Sequence, residues 1–213
     1  MPEIQFSEKL ILFIKFIPVF LVSITVHEFA HAFSAKKFGD TTAERQGRYS
    51  LNPVKHIDPI GSLLLPFLSF FSGSFLIGWA KPVPVNPNNF RNPLKDNAIV
   101  SFAGPLSNFL LAIILFIVFV ILQKSDYGAA NIFYYGTAFN IFLFCFNLLP
   151  IPPLDGSHIL YSLFPNRITA QWMNIGFIGT FVLLFFIFSP LWKYFIMLIN
   201  SILNLFLLFA GIR

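Results

Sequence analysis

The sequence predicts an all-α polytopic membrane protein, a bundle of about five to six transmembrane helices with a re-entrant hairpin and a short extended segment. Three observations carry that expectation. Of the 213 residues, 56% are hydrophobic and only 11% charged, too apolar a balance for a water-soluble globule of this length. Several windows exceed the roughly 18 uninterrupted apolar residues that mark a bilayer-spanning helix. They are spread from end to end, so residues 1–213 read as one integral membrane domain, with a core at about 7–165 and a C-terminal helical hairpin at about 172–210.

The formal net charge of +5 does not mark a nucleic-acid surface, because the basic residues sit in short loops between apolar runs. The partner this implies is a lipid bilayer, not nucleic acid. Cys145 is the single cysteine; it lies within an apolar run and is expected as a buried apolar side chain. Glu3 and Glu8 precede the first apolar run, which does not look like a cleaved signal peptide.

The first helix is expected over 7–38, with Lys36 and Lys37 in its last turn and Gly39 as the stop signal. At ~1.5 Å per residue it exceeds the ~30 Å hydrocarbon core and must project from one side. Residues 39–58 are a polar loop carrying Arg45, Arg48 and Lys55, with His56 in a surface or capping role. The apolar stretch 60–79 is interrupted by Gly61, Pro66, the Ser72-Gly73-Ser74 cluster and Gly78, and reads as either a span or a re-entrant hairpin. After it comes AKPVPVNPNNFRNP, whose prolines exclude helix and favour extended backbone. That segment is either a connector or an edge on which an extended peptide can pair.

Asp96 or Asn97 is expected to cap a span over 98–122 that contains Gly104-Pro105-Leu106-Ser107-Asn108. Small residues allow close helix approach, and Asn108 is expected to hydrogen-bond a neighbouring helix. Residues 123–131 form a polar loop, and from Ile132 the chain is apolar again up to Asn147-Leu148-Leu149-Pro150-Ile151-Pro152-Pro153-Leu154-Asp155-Gly156. Three prolines here open the helix, and open backbone at membrane depth is tolerated only where it is buried in protein or lines a cavity. Two last runs, 172–188 and 191–210, are separated by Ser189-Pro190.

The chemistry lies in His27-Glu28-Phe29-Ala30-His31. Two histidines four apart on a helix share a face and can grip one metal ion, with the intervening Glu aimed at a water held there. Glu28 and Asp155 are the acidic residues that fall within apolar segments, where a carboxylate is costly unless paired or bound to a cation. Asp155 can supply the third ligand beside His27 and His31, with His158 as its rival or its hydrogen-bond partner. One Zn²⁺ ion in such a site polarises a carbonyl, and Glu28 serves as general base. The reaction class that fits is peptide-bond hydrolysis, the alternative being a non-catalytic metal-binding membrane protein or metal transporter.

HEFAH on a membrane helix, GPLSN on a later one and NLLPIPPLDG on the next resemble the motif set of the site-2 protease family of intramembrane zinc metalloproteases. The resemblance implies His27, His31 and Asp155 as zinc ligands and Glu28 as catalytic base. It also implies that Asn147 positions the substrate or its oxyanion, and that the partner is a transmembrane or membrane-associated protein substrate. The chain resembles the short form of the family, without a PDZ or CBS domain.

For Asp155 to meet a metal at the projecting end of the first helix, the segment leading to it must run parallel to that helix. One full span then lies between them, which favours the hairpin for 60–79. In that topology the Lys and Arg residues 36, 37, 45, 48, 55, 81, 91, 95, 167 and 213 share one side, against 9, 15, 124 and 193 on the other. By the positive-inside rule the site lies towards the cytoplasmic side, in a multi-pass protein of the cell membrane.

Overall fold

A computed structural model describes residues 6–71, 78–124 and 127–212, and every regular element among them is helical. Helix α1 (Phe6–Lys37) is followed by a left-handed turn at Gly39 (φ 107°) and the short α2 (Thr42–Arg45). A π-helical turn, Pro59–Leu64, is capped by Asp58, which accepts from the N–H groups of Ile60 and Gly61, and runs into α3 (Leu65–Phe71). Then come α4 (Pro93–Leu122), α5 (Tyr127–Asn147), α6 (Asp155–Leu163), α7 (Arg167–Met173), α8 (Phe177–Phe188) and α9 (Leu191–Phe209). Four helices are long and apolar enough to cross a bilayer, five if the bent pair α7 and α8 is one span.

Trp79 lies back against Gly61 and Ser62, at the start of the stretch 60–79. Pro59–Phe71 spans only about 20 Å, short of the ~30 Å core. Trp79 N–H donates to the Gly61 carbonyl (2.9 Å), Ser62 Oγ donates to the Trp79 carbonyl (2.8 Å), and Lys81 N–H donates to the His56 carbonyl (2.9 Å). Both close approaches need glycine: a Cβ on Gly61 would lie 2.3 Å from Trp79 Nε1, and one on Gly78 would lie 2.8 Å from the Gly61 carbonyl oxygen. The expected Ser72-Gly73-Ser74 break lies outside the described residues.

Three boundaries differ from the sequence reading. Helix α4 starts at Pro93, not after Asp96: proline suits the first turn, and the Asp96 carboxylate accepts the Asn92 N–H (2.8 Å) from within it. Helix α5 starts at Tyr127, which shortens the expected loop 123–131. The run expected from Trp172 breaks at Gly176 (φ 55°), and α7 and α8 meet at 87°.

Hydrogen bonds set the directions. His27 meets Asn108 and His31 meets Val100, so α1 and α4 are antiparallel. Asn108 meets Asn140, and the Ala112 carbonyl meets Thr137, so α4 and α5 are antiparallel as well. Helices α1 and α5 therefore run parallel, in line with Ser23 meeting Asn140 and Val19 lying against Gly136 one turn earlier on each. That brings the loop after α5 to the projecting end of α1. Helix α4 packs on α1, α5 and α6, and Asn97 Nδ2 donates to Ser162 Oγ (2.9 Å) to tie α4 to α6.

Candidate active site

Helix α1 presents His27 and His31 one turn apart, both buried, with their Nε2 atoms 3.1 Å from each other. The proline-broken loop after α5 delivers Asp155 to the first residue of α6. Two close approaches shape that loop. A Cβ on Gly156 would sit 2.3 Å from the Leu148 carbonyl oxygen, and one on Gly179 in α8 would sit 2.4 Å from that of Pro152. Asp155 Oδ2 lies 3.2 Å from His27 Nε2, and Oδ1 lies 3.3 Å from His31 Nε2.

The other ring nitrogens decide what faces this cluster. His31 Nδ1 lies 2.8 Å from the Val100 carbonyl, which only accepts, so Nδ1 carries the hydrogen. His27 Nδ1 lies 2.6 Å from Asn108 Oδ1, again an acceptor. In the neutral rings both Nε2 atoms are then lone pairs, aimed at each other and at a carboxylate. Asp155 Oδ2 is buried without a hydrogen-bond partner, so its 3.2 Å approach to His27 joins two acceptors. Two imidazole lone pairs and two carboxylate oxygens this close call for a cation. The Nε2–Nε2 separation of 3.1 Å is close to the ~3.3 Å edge of a tetrahedron drawn with the ~2.0 Å bonds typical of zinc, and each imidazole has its own carboxylate oxygen at 3.2 or 3.3 Å. His27, His31 and Asp155 are the one group of this kind found among the described residues.

Helix α4 closes the site from the side. A Cβ on Gly104 would lie 2.3 Å from His31 Nε2 and 2.7 Å from His27 Nε2, so the backbone there must be bare. Asn108, one turn on, holds His27. This residue was expected only to bond a neighbouring helix, and its partner turns out to be the imidazole of the motif itself. The small-residue spacing of GPLSN was the available signal.

Glu28 Oε2 accepts the Val83 N–H (2.6 Å), which brings the extended segment 80–86 beside the site. That segment is strapped down by buried groups. Arg48 donates to the carbonyls of Lys81 and Pro82, and Asp40 accepts from Asn86 N–H (2.7 Å) and Asn89 Nδ2 (2.7 Å). Burial alone would push the Asp40 carboxyl up. Hydrogen bonds from Asn86, Asn89 and Thr42 outweigh it and hold the group below its ordinary value.

The model of peptidase family M50 matches residues 120–187. A Bacillus subtilis protein named "Putative zinc metalloprotease YwhC" is 41% identical over 182 residues, covering 82% of this chain and 80% of that protein. The chain belongs to peptidase family M50, the site-2 protease family. A Mycolicibacterium smegmatis relative of the same description, Rip2, is 38% identical over 149 residues, 68% of this chain and 55% of its own length. Another, MJ0611 of Methanocaldococcus jannaschii, is 39% identical over 66 residues, 31% of this chain and 34% of that protein. No solved structure matches the chain.

The remaining candidates fall outside the ligand group. His158 lies a turn beyond Asp155 on α6, partly buried, and is not among the clustered ligand atoms. Asn147 ends α5, and its Nδ2 donates to the Leu143 carbonyl (3.1 Å). His56 is fully buried, not on the surface, but it does cap: its N–H donates to the Pro53 carbonyl (2.8 Å) to close the turn Pro53–Lys55, and its Nε2 donates to the Ser50 carbonyl (2.7 Å). Cys145 packs in the α5–α9 core.

Proposed function

We propose that this family M50 chain is an intramembrane zinc-dependent endopeptidase that hydrolyses a peptide bond of a transmembrane or membrane-associated protein substrate. The observation that carries this reading is the convergence of the His27, His31 and Asp155 lone pairs beside the Glu28 carboxylate. His27, His31 and Asp155 are the residues that would hold one zinc ion. Bound zinc supplies a Lewis acid for the scissile carbonyl and for water.

Glu28 is the general base: its carboxylate accepts a proton from the attacking water and returns it to the departing amine. Val83 N–H holds that carboxylate in place. The backbone of residues 80–86 offers an extended edge to an unwound substrate next to Glu28. Asn147, at the rim of the proline-broken loop, positions the substrate or its oxyanion. The excess of Lys and Arg on the side of the projecting end of α1 supports a site towards the cytoplasmic side of the cell membrane.

The test is cleavage of a model transmembrane substrate by the purified protein and by Glu28→Gln. The variant is expected to retain its zinc and to lose about 10²–10⁴-fold in rate, the range supplied by general acid–base catalysis. Full activity in Glu28→Gln would sink the mechanism, because an amide cannot take the proton.

A further inference from the structure

Behind His27 a chain of polar side chains crosses three helices. Ser23 on α1, Asn108 on α4 and Asn140 on α5 are each fully buried. Backbone carbonyls, which only accept, fix the polarity of both amides. Asn140 Nδ2 lies 2.8 Å from the Gly136 carbonyl and 2.8 Å from Ser23 Oγ, so Asn140 Oδ1 is turned to Asn108. Asn108 Nδ2 lies 3.1 Å from the Ser23 carbonyl and 2.9 Å from Asn140 Oδ1, so both its hydrogens are used. Its Oδ1 is left for His27 Nδ1 at 2.6 Å. Ser23 Oγ completes the row by donating to the Val19 carbonyl (2.7 Å).

We propose that Asn140 is a positioning residue for the metal site: with Ser23 it locks the Asn108 amide in the one orientation that holds His27 with its Nε2 lone pair towards Asp155. The row has no freedom to reverse. Flipping Asn108 would set its oxygen against the Ser23 carbonyl and its amide hydrogens against His27 Nδ1–H, and would favour the tautomer that carries its hydrogen on Nε2, the atom that faces Asp155. Groups that orient a ligand imidazole in this way are worth about 10–100-fold in metal affinity. Asn140 lies two residues' contacts away from the ligand and acts through Asn108, not on the metal. This rests on His27, His31 and Asp155 holding zinc.

A plain helix-bridging role would also bury these amides, so the experiment must separate positioning from glue. Zinc affinity is measured by competition with a chromophoric chelator on the full chain purified in detergent. The proteins compared are wild type, Asn140→Ala, Asn108→Ala and the double variant, each checked for monodisperse elution. Asn140→Ala is expected to weaken zinc about 10–100-fold in the wild-type background and less than about twofold in the Asn108→Ala background. Unchanged affinity in Asn140→Ala, or equal losses in the two backgrounds, overturns the proposal. Where Asn140→Ala does not fold, Ser23→Ala replaces it, with an expected loss of about two- to tenfold that vanishes in Asn108→Ala. Equal losses there overturn the proposal in the same way. If wild type binds zinc no more tightly than Asp155→Ala, the metal reading itself fails and the proposal falls with it.

Discussion

Two seams hold this bundle together, and they use opposite chemistry. Between α1, α4 and α5, amid aromatic contacts such as Phe16–Phe139 and Phe109–Phe144, a buried polar row runs in which Ser23, Asn108, Asn140 and His27 are joined by hydrogen bonds. Between α5 and α9 they are apolar, with Ile141, Cys145, Phe195, Ile199 and Leu203 buried together. Aromatic pairs such as Phe142–Phe195 and Phe142–Trp192 fill that second seam. In a bilayer the apolar seam gains little from the hydrophobic effect, since lipid tails are as apolar as the side chains. It supplies packing. The polar seam has directional partners, so it fixes the register of α1 against α4 and with it the geometry of the site.

The largest effect is expected from removing a ligand. Asp155→Ala should lose zinc by more than the about 100-fold that loss of a supporting group costs, read as metal per chain after desalting. Zinc retained in that variant would point to His158. Gly104→Ala follows: its methyl lands against both imidazoles, and we expect zinc affinity to fall about 10–100-fold while the helices still form. Chelator competition with circular dichroism checks both parts.

Breaking the apolar seam should do the reverse. Ile199→Ala is expected to lower thermal stability by the lower end of the about 2–5 kcal/mol that such truncations cost, with zinc content unchanged. Loss of zinc there would mean that the two seams are coupled. The smallest effect lies outside both, at Asp40, whose carboxyl is held below its ordinary value. A depressed carboxylate contributes stability above its unfolded pKa of about 3.9, and loses it as pH falls through the lower folded value. Acid unfolding of wild type should therefore carry a component below about pH 4 that Asp40→Asn lacks, seen in the pH dependence of the melting temperature.

Much of this was legible along the chain. The i, i+4 histidines with Glu28 between them define a face without any knowledge of the fold, and a lone Asp155 in a proline-broken run needs a cation wherever it sits. The choice of a hairpin for 60–79 followed from requiring Asp155 and His31 at one depth, and the Trp79–Gly61 hydrogen bond agrees with it. Other features were not legible. Asn108 read as a residue that bonds some neighbouring helix, because periodicity says that an amide faces inward but not which side chain it meets. The bend at Gly176 was missed because an apolar run has no polar residue to mark where the backbone turns.

By itself, then, the sequence determined the membrane class and singled out His27, Glu28, His31 and Asp155 as the residues to watch, because those depend on composition and on local helical spacing. Only the tertiary structure decided which nitrogen of each histidine faces Asp155, that Gly104 must be bare, and that Val83 N–H meets Glu28. The reason is physical: a hydrogen bond has a direction and a partner. Residues 81 or 117 positions apart acquire theirs only when the antiparallel and parallel packing of α1, α4 and α5 sets their heights.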